Sequence, residues 1–243
     1  MGKVKVKKHS TIIDMTAMSD VTVLLLTFFM LTSTFLQKEP VQVVAPPSVS
    51  DEKVYDEKVV QVLVGPTGKV YMNFTGTKET DSTKTKTLPT EKFREEVVTT
   101  AYSLYRSAHS GAPALTETDV KEFGRLGMFG VPMKDLVSWI GMSVEERDKL
   151  TKEGEGIPID ENSKDFPNGK NKVNEFQKYW LPAVINVLQK HELGEDIRGG
   201  HLVAVKAGKD TPFEYVHIVM ENLQTAHLNK FVLMTSFKSE KDR

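Results

Sequence analysis

Asp20 carries the chemistry of this sequence. It stands at the head of "VTVLLLTFFMLTSTFL", residues 21–36, the one membrane-grade apolar run in a chain of 243 residues. An anchor needs no acid there, and hydrocarbon penalises one. At about 100° per residue, Thr16, Asp20, Thr27 and Thr34 fall within roughly 80° of one another on a helix. Thr22, Thr32 and Ser33 lie elsewhere. A polar stripe on an apolar rod is expected to face a partner protein or a water-filled pore. Desolvation there favours the neutral acid, so Asp20 is expected to take up and release a proton. Each proton crossing a field of 100 mV delivers roughly 2.3 kcal/mol.

The element that must hold this stripe is a helix. Residues 21–36 alone rise about 24 Å, short of a hydrocarbon core of about 30 Å, and starting the helix near Met15 adds about 9 Å. The pattern therefore predicts a transmembrane helix over 15–37. Lys3, Lys5, Lys7 and Lys8 precede it, and Gln37-Lys38-Glu39-Pro40 ends it. By the positive-inside rule residues 1–14 are a cytoplasmic basic tail and the rest is exported. A cleaved secretory signal would share the basic start and apolar run, but no small-x-small site follows the run. A plain uncleaved anchor, with Asp20 at the interface, is the other reading.

Beyond the helix the text turns soluble. Residues 38–56 read as a Pro- and Ser-containing linker in which 41–44 form a short extended strand, with Val41, Val43, Val44 and Pro46 a candidate partner-binding strand. The exported domain, 57–243, opens with two β-rich runs around Gly65-Pro66-Thr67-Gly68, a hairpin signal. A flexible Thr/Lys-rich loop over 75–90 leads to a helix with Thr90 at its N-cap and Phe93, Val97, Ala101 and Leu104 on its apolar face. Residues 110–198 read as helices joined by polar loops, with a capped helix starting from Ser143 and a helix kinked or restarted at Pro182. The end is strand, helix, strand: a βαβ unit implying a right-handed crossover. The fold class expected is α+β: one transmembrane helix, then a small α/β domain (hairpin plus βαβ) with a mostly helical insertion.

Several chemistries are excluded. With 32 basic against 33 acidic residues there is no basic excess for nucleic acid. The chain has no cysteine, hence no disulfide, thiolate metal site or cysteine nucleophile. Six scattered histidines give no metal spacing, and His217 reads as a surface residue. Gly65–Lys69 is not a phosphate loop, since the glycines are too close and Val70 follows the Lys. Asp160, Asn162 and Lys164 do not make a calcium loop. Neither a nucleophile elbow nor a dinucleotide fingerprint is present. Met128, Met133 and Met142 read as core fillers. No cofactor, no metal and no active site is expected, so the exported part reads as a binding module.

"DMTAMSDVTVLLLTFFMLTSTF" resembles the membrane helix of the ExbD/TolR family, small subunits of proton-driven motors in Gram-negative inner membranes. Asp14, Thr16, Asp20, Leu24 to Leu26 and Phe29-Met30 carry the likeness, with Ala17 where Pro is usual. "VQVVAPPSVSDEK" is similar to the family's post-membrane strand, "VVQVLVGPTGKVYMN" to its first hairpin, and residues 201–237 to its closing strand-helix-strand. The departure is 110–198, which lengthens the periplasmic domain. The resemblance implies a single-pass inner-membrane protein, N-terminus cytoplasmic, forming a homodimer inside a pentameric ExbB/TolQ-type partner. Asp20 would cycle a proton and the periplasmic domain would act on a TonB-type protein. A TolR-like, gliding or secretion motor subunit is the alternative within the family. A signal-anchored periplasmic binding protein and an anchored enzyme are the alternatives outside it.

Overall fold

The computed structural model describes residues 15–32, 39–41, 43, 47–48, 59–77, 87–154, 156–159, 174–199, 202–234 and 236–237. It separates into two units, Met1–Gln37 and Lys38–Arg243. In the first, α1 spans Met15–Thr32. Residues 33–38 and the basic tail, and with them Thr34 and the lysine cluster, lie outside the described residues.

The second unit is mixed α+β. Its hairpin is β2, Val60–Val64, and β3, Val70–Phe74, paired antiparallel with Val64 opposite Val70. The turn closes as expected: the Gly65 amide donates to Lys69 O at 2.8 Å and the Gly68 amide to Gly65 O at 3.0 Å. Gly68 has φ 80°, and a Cβ there would lie 2.5 Å from the Tyr215 ring, so only glycine fits. Strands β4, Val203–Ala207, and β5, Val232–Met234, complete a four-stranded sheet in the order β3-β2-β4-β5. β2, β4 and β5 run parallel to one another. Between β4 and β5 lies α8, Phe213–Thr225, as the βαβ reading requires.

Period-two alternation sends Val60, Val62, Val64, Val70, Met72, Phe74, Val203 and Val205 to one face of the sheet, where the helices bury them. The first covering helix is α2, Thr90–Ala108, with Phe93, Val97 and Ala101 buried as its periodicity predicts and Leu104 half-buried. Thr90 is not its cap. Pro89 holds that place, and Thr90 Oγ1 accepts instead from the Gly76 amide at 2.9 Å.

Residues 110–198 add α3 (Glu117–Arg125), α4 (Leu136–Ile140), α5 (Val144–Glu153), α6 (Leu181–Lys190) and α7 (Gly194–Arg198) to the same core. Ser143 caps α5 through a reciprocal pair with Glu146, as the sequence indicates. A π-helical turn, Phe176–Trp180, precedes α6, and its Leu181 amide donates five residues back to Phe176 O. Pro182 explains it: without an N–H the proline cannot continue the ordinary ladder, and the extra residue absorbs the mismatch. This segment also seals the outer edge of β3. Met72 and Phe129 exchange both backbone bonds at 2.8 and 2.9 Å, and the Ile157 amide donates to Val70 O at 2.9 Å. An edge strand left open would template association. Gly130 allows the approach, since a Cβ there would come within 2.2 Å of the Tyr71 ring.

The short strand of the linker lies further along than the sequence suggests. β1 is Pro47–Ser48, parallel to β6, Ser236–Phe237. Val41 and Val43 are described and half-buried but belong to no strand, and Val44 and Pro46 lie outside the described residues. Pro47, lacking an N–H, fits only the start of such a pairing. Asp160, Asn162 and Lys164 likewise lie outside.

Arg94 ties α2 to the sheet. Its Nε donates to Phe74 O at 2.7 Å, Nη2 to Asn73 Oδ1 at 3.1 Å and Nη1 to Gly124 O at 3.4 Å. Burial pulls its guanidinium down to about 10, against the raising influence of Glu91, so it stays charged at neutral pH. Arg94→Met should therefore cost about 2–4 kcal/mol, because two buried carbonyls and an amide lose a charged donor. Denaturant unfolding of the detergent-solubilised chain, followed by Trp139 and Trp180 fluorescence, reads this directly. An unchanged midpoint would remove Arg94 from the framework.

Candidate functional site

α1 owes its helix to straight-chain and apolar residues, with no Gly or Pro over its eighteen positions. Its large side chains are all exposed, from 50% for Leu25 to 86% for Leu31. Apolar residues thus lie all round the rod. Its hydroxyls are satisfied within the helix. Ser19 donates to Met15 O at 2.8 Å, Thr22 to Ser19 O at 2.8 Å, Thr27 to Leu24 O at 2.9 Å and Thr32 to Phe28 O at 2.8 Å. Each keeps lone pairs for an incoming donor.

Asp20 lies on this helix in the stripe with Thr16 and Thr27. It is exposed, and among the described residues it has no hydrogen-bond or ion-pair partner. Among the described residues no helix is long and apolar enough to cross a membrane. The eighteen residues of α1 rise about 27 Å against the roughly 30 Å of a hydrocarbon core.

Residues 6–107 match the family described as biopolymer transport protein ExbD/TolR. The likeness to ExbD/TolR proteins is confined to this stretch. The stretch contains α1, the hairpin and nearly all of α2, and supports a subunit of an energised biopolymer-transport system. The match covers less than half of the 243 residues and stops in the last turn of α2. No curated protein and no solved structure matches the chain.

Outside α1, one polar cluster that the sequence did not flag joins α2 to the end of α6. Glu96 of α2 accepts from Lys190 Nζ at 2.9 Å and faces His191 Nε2 at 3.0 Å. The signal available in the sequence was Lys190-His191 in and after the last turn of α6, where cations favour the helix terminus. Glu39 of the linker and Lys206 of β4 form a second pair at 2.5 Å. Among the described residues no group of three or more His, Asp or Glu is placed to hold a metal ion. His217 is exposed, beside Glu221 at 3.7 Å and the Phe213 ring. Met133 is fully buried, whereas Met128 and Met142 are half-buried.

The Glu96 cluster has a defined pH signature. Burial pushes its carboxyl up, but the hydrogen bonds and charges of Lys190 and His191 outweigh this and hold it below the usual carboxylate range. A depressed folded value means its stabilisation is present above the ordinary glutamate range, about pH 4.3, and is lost as pH falls through the folded value. Glu96→Gln should flatten the acid limb of the stability–pH profile, measured by thermal unfolding, and leave its shape unchanged near neutrality. An acid limb identical to that of the parent chain would contradict this.

Proposed function

We propose that this chain is the small membrane subunit of a proton-motive-force-driven motor that energises transport across the outer membrane. In this reading α1, continued through residues 33–37, crosses the inner membrane once, N-terminus in the cytoplasm, and residues 38–243 lie in the periplasm. Two copies sit inside a pentameric ring of an ExbB/TolQ-type partner, and Asp20 carries the proton. The stripe of Thr16, Thr27 and Thr34 faces that ring. The exported domain works by binding, with no catalysis of its own, and hands motion to a TonB-type protein; Val41, Val43, Val44 and Pro46 lie in the segment assigned to that contact. Residues 110–198 are an insertion that enlarges the domain.

The observation that carries this reading is α1 itself. An apolar helix exposed on every side bears one acid with no partner among the described residues, within a segment that matches ExbD/TolR. A lipid-facing anchor would gain nothing from Asp20 and would lose a few kcal/mol of insertion free energy to it. A proton carrier requires it. The family assignment equally accommodates a TolR-like, gliding or secretion motor, in which the same chemistry drives a different load.

The experiment is Asp20→Asn in the native host, the smallest change that removes the titrating group. Energy-dependent uptake through outer-membrane receptors should fall to background while the chain still accumulates and co-purifies with its membrane partner. Asp20→Glu should retain part of it. Full uptake with Asn would overturn the proton role in this transport, and replacing the whole of α1 by an unrelated anchor then separates another motor from a passive tether.

A further inference from the structure

Two helices of residues 110–198 turn the outer face of α2 into a trough. Glu95, Glu96, Thr99 and Thr100 of α2 form its floor, Val120 of α3 lines one side and Val187 of α6 the other. It is open along its top and has a volume of about 390 Å³, at the small end of the clefts proteins use for recognition. Both sides lie beyond the stretch 6–107 that matches ExbD/TolR.

The floor is rich in acceptors. Thr99 Oγ1 donates to Glu95 O at 2.7 Å and Thr100 Oγ1 to Glu96 O at 2.8 Å, so neither hydroxyl has a proton left to offer a ligand. The two carboxylates are not equivalent. Glu96 is matched by Lys190 and His191. Glu95 is half-buried and has no hydrogen-bond or ion-pair partner among the described residues. Gly124 of α3 makes room for its side chain, since a Cβ there would lie 2.9 Å from Glu95 Cγ and 3.1 Å from Glu95 Oε1. The neighbouring helix thus strips water from one side of this acid and supplies no compensating charge.

We propose that the trough is a docking site for a lysine side chain of a partner polypeptide, with the ammonium on Glu95 and Thr99 and the stem along Val120 and Val187. An ammonium brings one positive charge and three donors, which complement an unmatched carboxylate and hydroxyls that can only accept. Its four-carbon stem needs apolar surface next to that charge, and the two valines provide it. Arginine fits less well. Its planar fork grips both oxygens of one carboxylate, and Oε1 of Glu95 lies against Gly124. A free amine would remain largely hydrated in so open a trough, whereas a lysine carried on a polypeptide is held there by its neighbours' contacts. The site stands apart from the proton role of Asp20, and its test reads contact and not transport.

Carboxyl labelling tests it. The full-length chain, in detergent alone and in its native membrane complex, is treated with a carbodiimide and glycine ethyl ester, and labelling at each glutamate is measured by mass spectrometry. Labelling of Glu95 should fall several-fold in the complex, while that of the exposed Glu145 on α5 stays the same. Without the ester, the carbodiimide should join Glu95 to a lysine of a different protein as an amide, with loss of water, and Glu95→Gln should abolish that link. Equal labelling of Glu95 in both states would overturn the docking site. Protection of Glu95 without any lysine link would overturn lysine as the occupant, and a link confined to lysines of its own chain would overturn the partner.

Discussion

An apolar helix cannot stay bare. The large residues of α1 are exposed on every side, and leaving that much hydrocarbon in water is the most unfavourable feature of the chain, at roughly 25 cal/mol for each Å². Whatever covers α1 decides what Asp20 can do. Water accommodates a carboxylate, whereas hydrocarbon penalises its charge. A protein wall with its own polar groups makes protonation depend on position, which is the property a proton-driven machine requires. Thr27, on the same face as Asp20, has its donor committed to the Leu24 carbonyl.

The exported unit obeys a different constraint. A four-stranded sheet with helices on one face has two edges to manage, and the edge at β3 is closed by Phe129 and Ile157. The segment that closes it also supplies Phe129 and Trp180, whose rings lie 5.6 and 6.1 Å from that of Phe74 of β3, and Phe123, which packs against both of them at 5.1 and 6.3 Å. Residues 110–198 are therefore not an appendage to this domain, because they complete its core and one of its edges. Arg94 holds the junction, joining the end of β3 to α2 and to the last turn of α3 through one guanidinium.

Where the sequence was legible, one dominant local signal was present. The hairpin was readable from Gly65-Pro66-Thr67-Gly68, α5 from the Ser143–Glu146 capping box, and the closing βαβ from two β-rich runs around a helix opened by Thr211-Pro212. Asp20 stood out because a single charge breaks an apolar run. Misplacements arose where tertiary contacts decide. Thr90 looks like an N-cap, but its hydroxyl is taken by the Gly76 amide. The linker strand falls at Pro47–Ser48, away from the valines of 41–44, because the partner strand Ser236–Phe237 sets the register. The Glu96 cluster joins residues 94 and 95 positions apart, a separation that no local pattern encodes. Arg94 gave a fainter signal, a cation one position after Phe93 on the inner arc of an amphipathic helix.

The central claim is that Asp20 gains and loses a proton in the assembled state. Infrared difference spectroscopy of the full-length chain in its native membrane complex, scanned across pH, observes the carboxyl group itself. The account predicts a protonated-carboxyl band that titrates and is absent from the Asp20→Asn complex. A spectrum in which no such band distinguishes the two complexes at any pH would mean that Asp20 stays ionised, and the proton role would be lost with it.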